Sequence, residues 1–199
     1  MQWRHIELAG ADVRLARFCT AGQASAWFAR LQQEIPWQRH RVKLFGRELE
    51  VPRLACWMGD AGAVYSYSRM RYVPQPWTRA MAQLRTQVSA LCGEIYNGVL
   101  CNLYRNGRDA MGWHSDDEPE LGQHPRIASL SFGAPRRFCL RHRRERDRRV
   151  EIVLESGDLL LMAAATQANY QHALPRTRAC AVPRINLTFR PIRESVDET

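Results

Sequence analysis

The feature that most constrains this chain is a strict alternation near its C-terminal end, Arg184-Ile185-Asn186-Leu187-Thr188-Phe189-Arg190, entered through Pro183. On an extended strand, successive side chains point to opposite faces of the sheet. Ile185, Leu187 and Phe189 then form one wholly apolar face, and Arg184, Asn186, Thr188 and Arg190 form the other. An edge strand with its polar side in water would accommodate this segment taken alone. It accounts less well for two arginines on a face whose reverse is entirely apolar. A strand inside a β core, with its arginines turned inward toward anions, accounts for both faces.

The surrounding pattern points the same way. From residue 99 onward, short runs rich in β-formers follow one another between Gly, Pro or charged turns, at 99–104, 127–132, 137–142, 150–154, 158–162 and 185–190. Further short strands are expected at 42–44 and 64–68. Ahead of them the periodicity predicts two helices. Thr20 caps the first, which runs to about Glu34 with Ala24, Trp27, Phe28, Leu31 and Ile35 on one face. The second begins near Pro76 as a first-turn residue and runs to Cys92, with Met81, Leu84, Val88 and Leu91 as its buried stripe and Gly93 as its stop. Many short strands behind two helices imply an α+β fold: a double-sheet or closed β core with the helices packed on one side. A jelly roll (double-stranded β-helix) of about eight strands fits, although pattern alone does not separate it from another sandwich. There is no repeat, low-complexity tract or Gly/Ser linker, so the 199 residues read as a single domain.

Charge narrows the partners. Lys and Arg number 29 against 20 Asp and Glu, a formal charge of +9, which favours polyanions and nucleic acid first among them. Residues 136–149 alone hold eight arginines against Glu145 and Asp147. The longest apolar stretches, such as 159–165, are far too short to cross a membrane. Met1-Gln2-Trp3-Arg4-His5 opens no apolar signal segment, so a cytoplasmic protein, in a bacterial-type cytosol or nucleoid, is expected. Cys19, Cys56, Cys92, Cys101, Cys139 and Cys180 show no CxxC or framework spacing and read as buried, reduced thiols.

Three pieces of sequence carry chemistry together. In His114-Ser115-Asp116 an imidazole and a carboxylate two residues apart converge on one point if the segment is a strand. One later histidine, His172 in Tyr170-Gln171-His172-Ala173-Leu174-Pro175, would complete two nitrogens and one oxygen. That donor set suits Fe(II) and leaves positions open for a cosubstrate and O2. An HxD arises readily by chance and a lone histidine is usually a satisfied core or surface residue. The arginine strand changes the odds, because a dicarboxylate such as 2-oxoglutarate offers each guanidinium a carboxylate.

At this point the chain resembles the AlkB family of nucleic-acid dealkylases. The resemblance runs through Asn102-Leu103-Tyr104, His114-Ser115-Asp116-Asp117-Glu118, Ile127-Ala128-Ser129-Leu130-Ser131-Phe132-Gly133, Gly157-Asp158-Leu159-Leu160-Leu161-Met162, His172-Ala173-Leu174-Pro175 and the arginine strand. It implies that His114, Asp116 and His172 bind Fe(II). It implies too that Asn102, Tyr104, Arg184, Thr188 and Arg190 hold 2-oxoglutarate, with Asn186 fixing the arginine strand. The implied reaction is oxidative demethylation of bases of the 1-methyladenine and 3-methylcytosine type, coupled to decarboxylation of 2-oxoglutarate and consuming O2. On this reading residues 1–98 are a helical and nucleotide-recognition region and 99–191 the jelly-roll catalytic core.

A second stretch, Arg41-Val42-Lys43-Leu44-Phe45-Gly46, Val51-Pro52-Arg53 and 59–68, is similar to the homologues that act on duplex DNA. The similarity implies that Leu44, Phe45 and Gly46 form an apolar finger that enters the base stack. Tyr65, Ser66 and Tyr67 would line the flipped-base pocket, and Asp117 and Glu118 would contact the base edge. A wedge of this kind offsets the unstacking needed to bring a base to a metal. The arginine-rich segment 136–149 would then clamp phosphates. Alkylated DNA is the expected partner, duplex before single strand, with RNA as an alternative substrate and no membrane. A protein or small-molecule hydroxylase is a further alternative, disfavoured by the charge. A monomer suffices for this chemistry.

Overall fold

The structure is a computed structural model that describes residues 1–44, 47–67 and 70–193. In chain order its elements are β1 (Arg4–Ile6), β2 (Asp12–Arg17), α1 (Ala21–Glu34), β3 (Gln38–Leu44), β4 (Arg47–Gly59), β5 (Tyr65–Tyr67) and β6 (Met70–Tyr72), followed by α2 (Arg79–Cys92). Then come β7 (Gly98–Tyr104), β8 (Met111–His114), β9 (Ile127–Gly133), β10 (Arg136–His142), β11 (Arg149–Leu154), β12 (Asp158–Ala163), the single-turn α3 (Thr166–Asn169), β13 (Tyr170–Leu174) and β14 (Arg184–Arg190). Among the described residues the strands form an eight-stranded sheet, ordered β1-β2-β12-β9-β14-β7-β4-β3, and a four-stranded sheet, ordered β11-β10-β13-β8. A small hairpin pairs β5 with β6. All strand pairs are antiparallel. This is the double-sheet jelly roll with helices on one side that the strand pattern predicts.

The large sheet is covered on both sides, by the helices on one and by the small sheet on the other. Ile185, Leu187 and Phe189 of β14, with Val99, Cys101 and Leu103 of β7 and Leu159 and Leu161 of β12, pack on Leu31 of α1 and on Met81, Leu84 and Val88 of α2. On the opposite face, Trp57, Leu160 and Met162 pack against Phe138, Leu140, Ile152 and Leu154 of the small sheet. β14 lies at the centre of the large sheet, with β9 on one side and β7 on the other.

Local sequence explains where the helices begin and end. Thr20 and Gln23 form a reciprocal cap: the Gln23 amide donates to Thr20 Oγ1 at 3.4 Å and the Thr20 amide donates to Gln23 Oε1 at 3.0 Å. Helix α1 stops at Ile35, whose φ of −83° and ψ of 128° suit the residue before Pro36. Thr20→Ala is expected to cost about 1 kcal/mol, lowering the melting temperature by about 2–4 °C in a thermal scan.

Two expectations for the second helix need correction. Pro76 is not in its first turn; α2 begins at Arg79, capped by Thr78, whose Oγ1 accepts from the Met81 amide at 3.2 Å. The preceding residue, Gln75, is pinned to β4, donating to Trp57 O at 2.9 Å and accepting from the Gly59 amide at 3.0 Å, which keeps that segment extended. Leu91 is not in the buried stripe. It is 37% exposed, and the stripe runs instead through Ala80, Met81, Leu84, Val88 and Cys92. Gly93 does end the helix, with φ 63° and ψ 40°, the left-handed geometry glycine adopts at low cost. All six cysteines are free thiols; Cys56, Cys92, Cys101 and Cys139 are buried and Cys19 and Cys180 half-buried. Among the described residues no helix is long and apolar enough to cross a membrane.

Candidate metal centre

The two histidines are brought together by strand register. His172 on β13 is the direct Cα partner of His114 on β8, and the ladder shifts register just beyond, between His172 and Leu174. Their rings lie 4.2 Å apart between centroids. Asp116 joins them by a different route from the one the HxD spacing suggests. β8 ends at His114, so Asp116 is not two residues along the same strand. It sits in the following loop, which is latched to its surroundings: Ser115 Oγ donates to Tyr170 O at 2.9 Å, and the Asp116 amide donates to Gln167 Oε1 at 3.0 Å. The outcome is a cluster whose potential ligand atoms all lie within 4.8 Å of one another, with His172 Nε2 3.7 Å from Asp116 Oδ2.

The protonation states suit a divalent cation. Burial pushes both histidines down, His172 to about 3, so each imidazole is neutral with a lone pair to offer. His114 Nδ1 lies 2.9 Å from the Gly112 carbonyl, which can only accept, so the proton sits on Nδ1 and the lone pair on Nε2. Burial raises the Asp116 carboxyl, but the Arg190 guanidinium outweighs it and holds the group at about 2. Arg190 Nη2 donates to Asp116 Oδ1, while Asp116 Oδ2 is buried without a hydrogen-bond partner. One carboxylate oxygen is thus oriented and the other is left for a ligand, which is what a 2-His-1-carboxylate iron site requires.

All six residues named for the cosubstrate line the same cavity as the three triad residues, between the two sheets. Asn102 and Tyr104 come from β7; Arg184, Asn186, Thr188 and Arg190 come from β14 beside it. The two arginines divide their work. Arg190 is engaged with Asp116. Arg184, 2% exposed, donates from Nη2 to Ser131 Oγ at 2.7 Å, and its Nε is buried without a partner. Burial lowers Arg184 to about 10, so it stays charged at neutral pH and keeps an unused donor on a residue that lines the cavity. Asn186 Nδ2 donates to Ser129 Oγ at 2.8 Å, and Thr188 Oγ1 donates to Asn186 Oδ1 at 3.1 Å. The first bond ties β14 to β9, and the second fixes Asn186 from within β14.

Several contributors escaped the sequence reading. Ser129 and Ser131 hold Asn186 and Arg184, and their alternation in 127–133 was a signal for it. Arg53, 8% exposed, donates from Nε to Asn102 Oδ1 at 2.7 Å. Phe138 stacks on His172 at 5.3 Å. Arg136 corrects the phosphate-clamp expectation for its own position. It is 3% exposed, and its Nη2 donates to the Asp109 and Pro175 carbonyls at 2.9 and 2.8 Å. It locks together two loops already zipped by Gly107, where an added Cβ would lie 2.1 Å from Thr177 O.

The residues named for base contacts are placed less completely. Phe45 and Gly46 lie outside the described residues; Leu44 ends β3 at the tip of the β3–β4 pair, and Tyr65, Ser66 and Tyr67 form β5. Asp117 follows the triad carboxylate but is not in the cavity lining; its Oδ2 accepts from Arg143 Nη1 at 2.6 Å. Glu118 precedes the short 3-10 turn Pro119–Leu121, and its carbonyl accepts from the Leu121 amide at 2.9 Å.

Comparison with known proteins agrees with this geometry. Residues 12–190 match the 2OG-Fe(II) oxygenase superfamily. The chain is 40% identical over 184 residues to the alpha-ketoglutarate-dependent dioxygenase alkB homolog 3 of Bos taurus, a match covering 88% of this chain and 64% of that one, so it spans less than two thirds of that relative. It is 38% identical over 200 residues to the DNA oxidative demethylase ALKBH2 of Homo sapiens, covering 96% of this chain and 77% of that one. The solved structure of OsALKBH1 shares the fold, with a TM-score of 0.68 at 16% identity over 95% of this chain and 99% of that one. The chain therefore belongs to the AlkB family of 2OG-Fe(II) oxygenases, whose chemistry uses Fe(II), 2-oxoglutarate and O2.

Proposed function

We propose that this chain is a DNA dealkylase that removes N-alkyl groups from damaged bases of the 1-methyladenine and 3-methylcytosine type. The observation that carries the reading is one cavity holding the His114–Asp116–His172 cluster together with the unpartnered Nε of Arg184. His114, Asp116 and His172 would hold Fe(II). Asn102, Tyr104, Arg184, Asn186, Thr188 and Arg190 would hold 2-oxoglutarate, with Arg184 taking a carboxylate. When bound, iron, 2-oxoglutarate and O2 would supply the oxidation of the N-alkyl carbon, which leaves as an aldehyde, while 2-oxoglutarate leaves as succinate and CO2. The chain's own residues position and exclude. Arg190 orients the triad carboxylate, Gly112 fixes the His114 tautomer, and the apolar walls at Leu100, Met111 and Phe138 keep water from the reacting carbon.

DNA as the polymer is supported by the function named for human ALKBH2 and by the +9 charge. The proposed domain is a single unit, active as a monomer, with duplex preferred over single strand. In this reading Leu44, Phe45 and Gly46 act as the finger, Tyr65, Ser66 and Tyr67 grip the base, and Asp117 and Glu118 read its edge. Anaerobic loading with Fe(II), followed by air, 2-oxoglutarate and a 3-methylcytosine oligonucleotide, tests the reaction by mass. Loss of the methyl group should require both iron and 2-oxoglutarate. If 2-oxoglutarate is turned over to succinate while no methyl is lost from DNA or RNA, the substrate assignment falls. Phe45→Ala should reduce turnover of duplex more than of single strands, and equal loss on both would remove the finger.

A further inference from the structure

Adjacent residues of a strand face opposite sides of its sheet. β8 is an outer strand of the four-stranded sheet, so with His114 turned into the cavity, Trp113 lies on the outer face, where it is 40% exposed. The Arg141 guanidinium covers its indole, with Cζ 4.1 Å from the ring centroid. Gln171 holds that guanidinium in place, its Oε1 accepting from Arg141 Nε and Nη2 at 3.2 and 3.0 Å. The three side chains come from the three neighbouring strands β8, β13 and β10. Gln171 leaves Nη1 of Arg141 outside this contact.

The next strand adds a second observation that points to an anion. Arg149 of β11 is the direct Cα partner of Arg141. Like charges placed directly opposite on antiparallel strands destabilise the pair unless an anion sits between them. Further along the same face, Arg137 is bridged to Glu151 at 3.1 Å, so that carboxylate serves a different arginine. A guanidinium layered on an indole, with a second arginine opposite, suits single-stranded nucleic acid: a planar pair for a base to stack on and cations for its phosphate.

We propose that Trp113, Arg141 and Arg149 form a binding site for the unpaired nucleotide that flanks the one delivered to the metal. The flanking base stacks on the Trp113–Arg141 pair, and its phosphate lies between Arg141 and Arg149. His114 and Trp113 are consecutive, so the two nucleotides straddle one strand edge, one on the inner side and one on the outer. This inference rests on the nucleic-acid reading above, and it adds a contact for the nucleotide next to the one delivered to the metal.

The test is binding of an unmodified oligothymidylate of about ten nucleotides, followed by fluorescence anisotropy across a salt series. Trp113→Ala should raise Kd about 5- to 30-fold, and Trp113→Phe, which keeps a stacking ring, by less than about threefold. Arg141→Ala should reduce the slope of log Kd against log salt by about 0.7, one single-strand phosphate. A Phe variant as weak as the Ala variant overturns the site, because stacking is then not the cause. So does Kd within about twofold of the parent protein for both Trp113→Ala and Arg141→Ala with an unchanged salt slope. If the parent protein binds no oligonucleotide at all, the nucleic-acid reading falls with it.

Discussion

Asp116→Ala is expected to abolish succinate formation and also to destabilise the protein by about 3–5 kcal/mol, whereas His172→Ala should abolish succinate formation at a smaller cost in stability. The difference follows from charge. Asp116 and Arg190 are a buried pair, with side chains 1% and 3% exposed. Removing the carboxylate leaves a guanidinium in the interior without its counter-charge. His172 is buried as a neutral ring, so its loss removes a ligand and the packing against Phe138 but strands no charge. Urea unfolding of the two variants, without iron or cosubstrate, measures the first effect, and succinate release measures the second. Appreciable turnover in either variant would remove that residue from the metal site.

Arg184→Met carries the second large effect, with opposite signs in two assays. A charged hydrogen bond contributes about 1.5–3 kcal/mol, so loss of the guanidinium should raise KM for 2-oxoglutarate about 10- to 150-fold. Among the described residues Arg184 forms no salt bridge; its recorded contacts are Ser131 Oγ and the Tyr104 ring. A buried cation so poorly compensated opposes folding, and an apolar residue of similar length relieves the penalty. The variant should therefore unfold no earlier than the parent protein when cosubstrate is absent. At saturating 2-oxoglutarate, about 100 times Kd, the parent gains about 2.7 kcal/mol and the variant much less. Arg184→Lys should not restore affinity, because an ammonium cannot reproduce the guanidinium fork. If Arg184→Met kept its KM, the carboxylate contact would have to lie elsewhere.

The parts of the fold legible in the sequence are those with one dominant local signal. β14 alternates cleanly, Thr20 and Gly93 are unambiguous caps, and β7, β9 and β12 are apolar runs between turns. What was not legible depended on distant partners. β4 carries Pro52 and changes from charged-apolar alternation at 47–51 to a continuous apolar run from Leu54, so its 13 residues show no single period. β13 is short and has no β-branched residue; it is a strand because β10 and β8 flank it. The same limit applies at the candidate centre. That His114, Asp116 and His172 belong together was readable from residue types, and the arginine strand supplied the second half of the cavity. The geometry was not readable: Asp116 reaches the cluster from a loop held by Gln167 and Tyr170. Nor was the burial of Arg136, since a cationic run shows nothing of which member points inward to carbonyl groups.

The central place of β14 in the large sheet has a consequence for assembly. Its neighbours β7 and β9 precede it in the chain, and neither is hydrogen-bonded to the other. Until residues 184–190 have left the ribosome, β1-β2-β12-β9 and β7-β4-β3 remain two separate half-sheets, each with an open edge of unpaired amides and carbonyls. The same seven residues bring in Arg190, the partner of Asp116. Closing the sheet and bringing Arg190 to Asp116 are therefore one event. A nascent chain halted before Arg184 would expose both open edges while Asp116 still lacks its Arg190 partner.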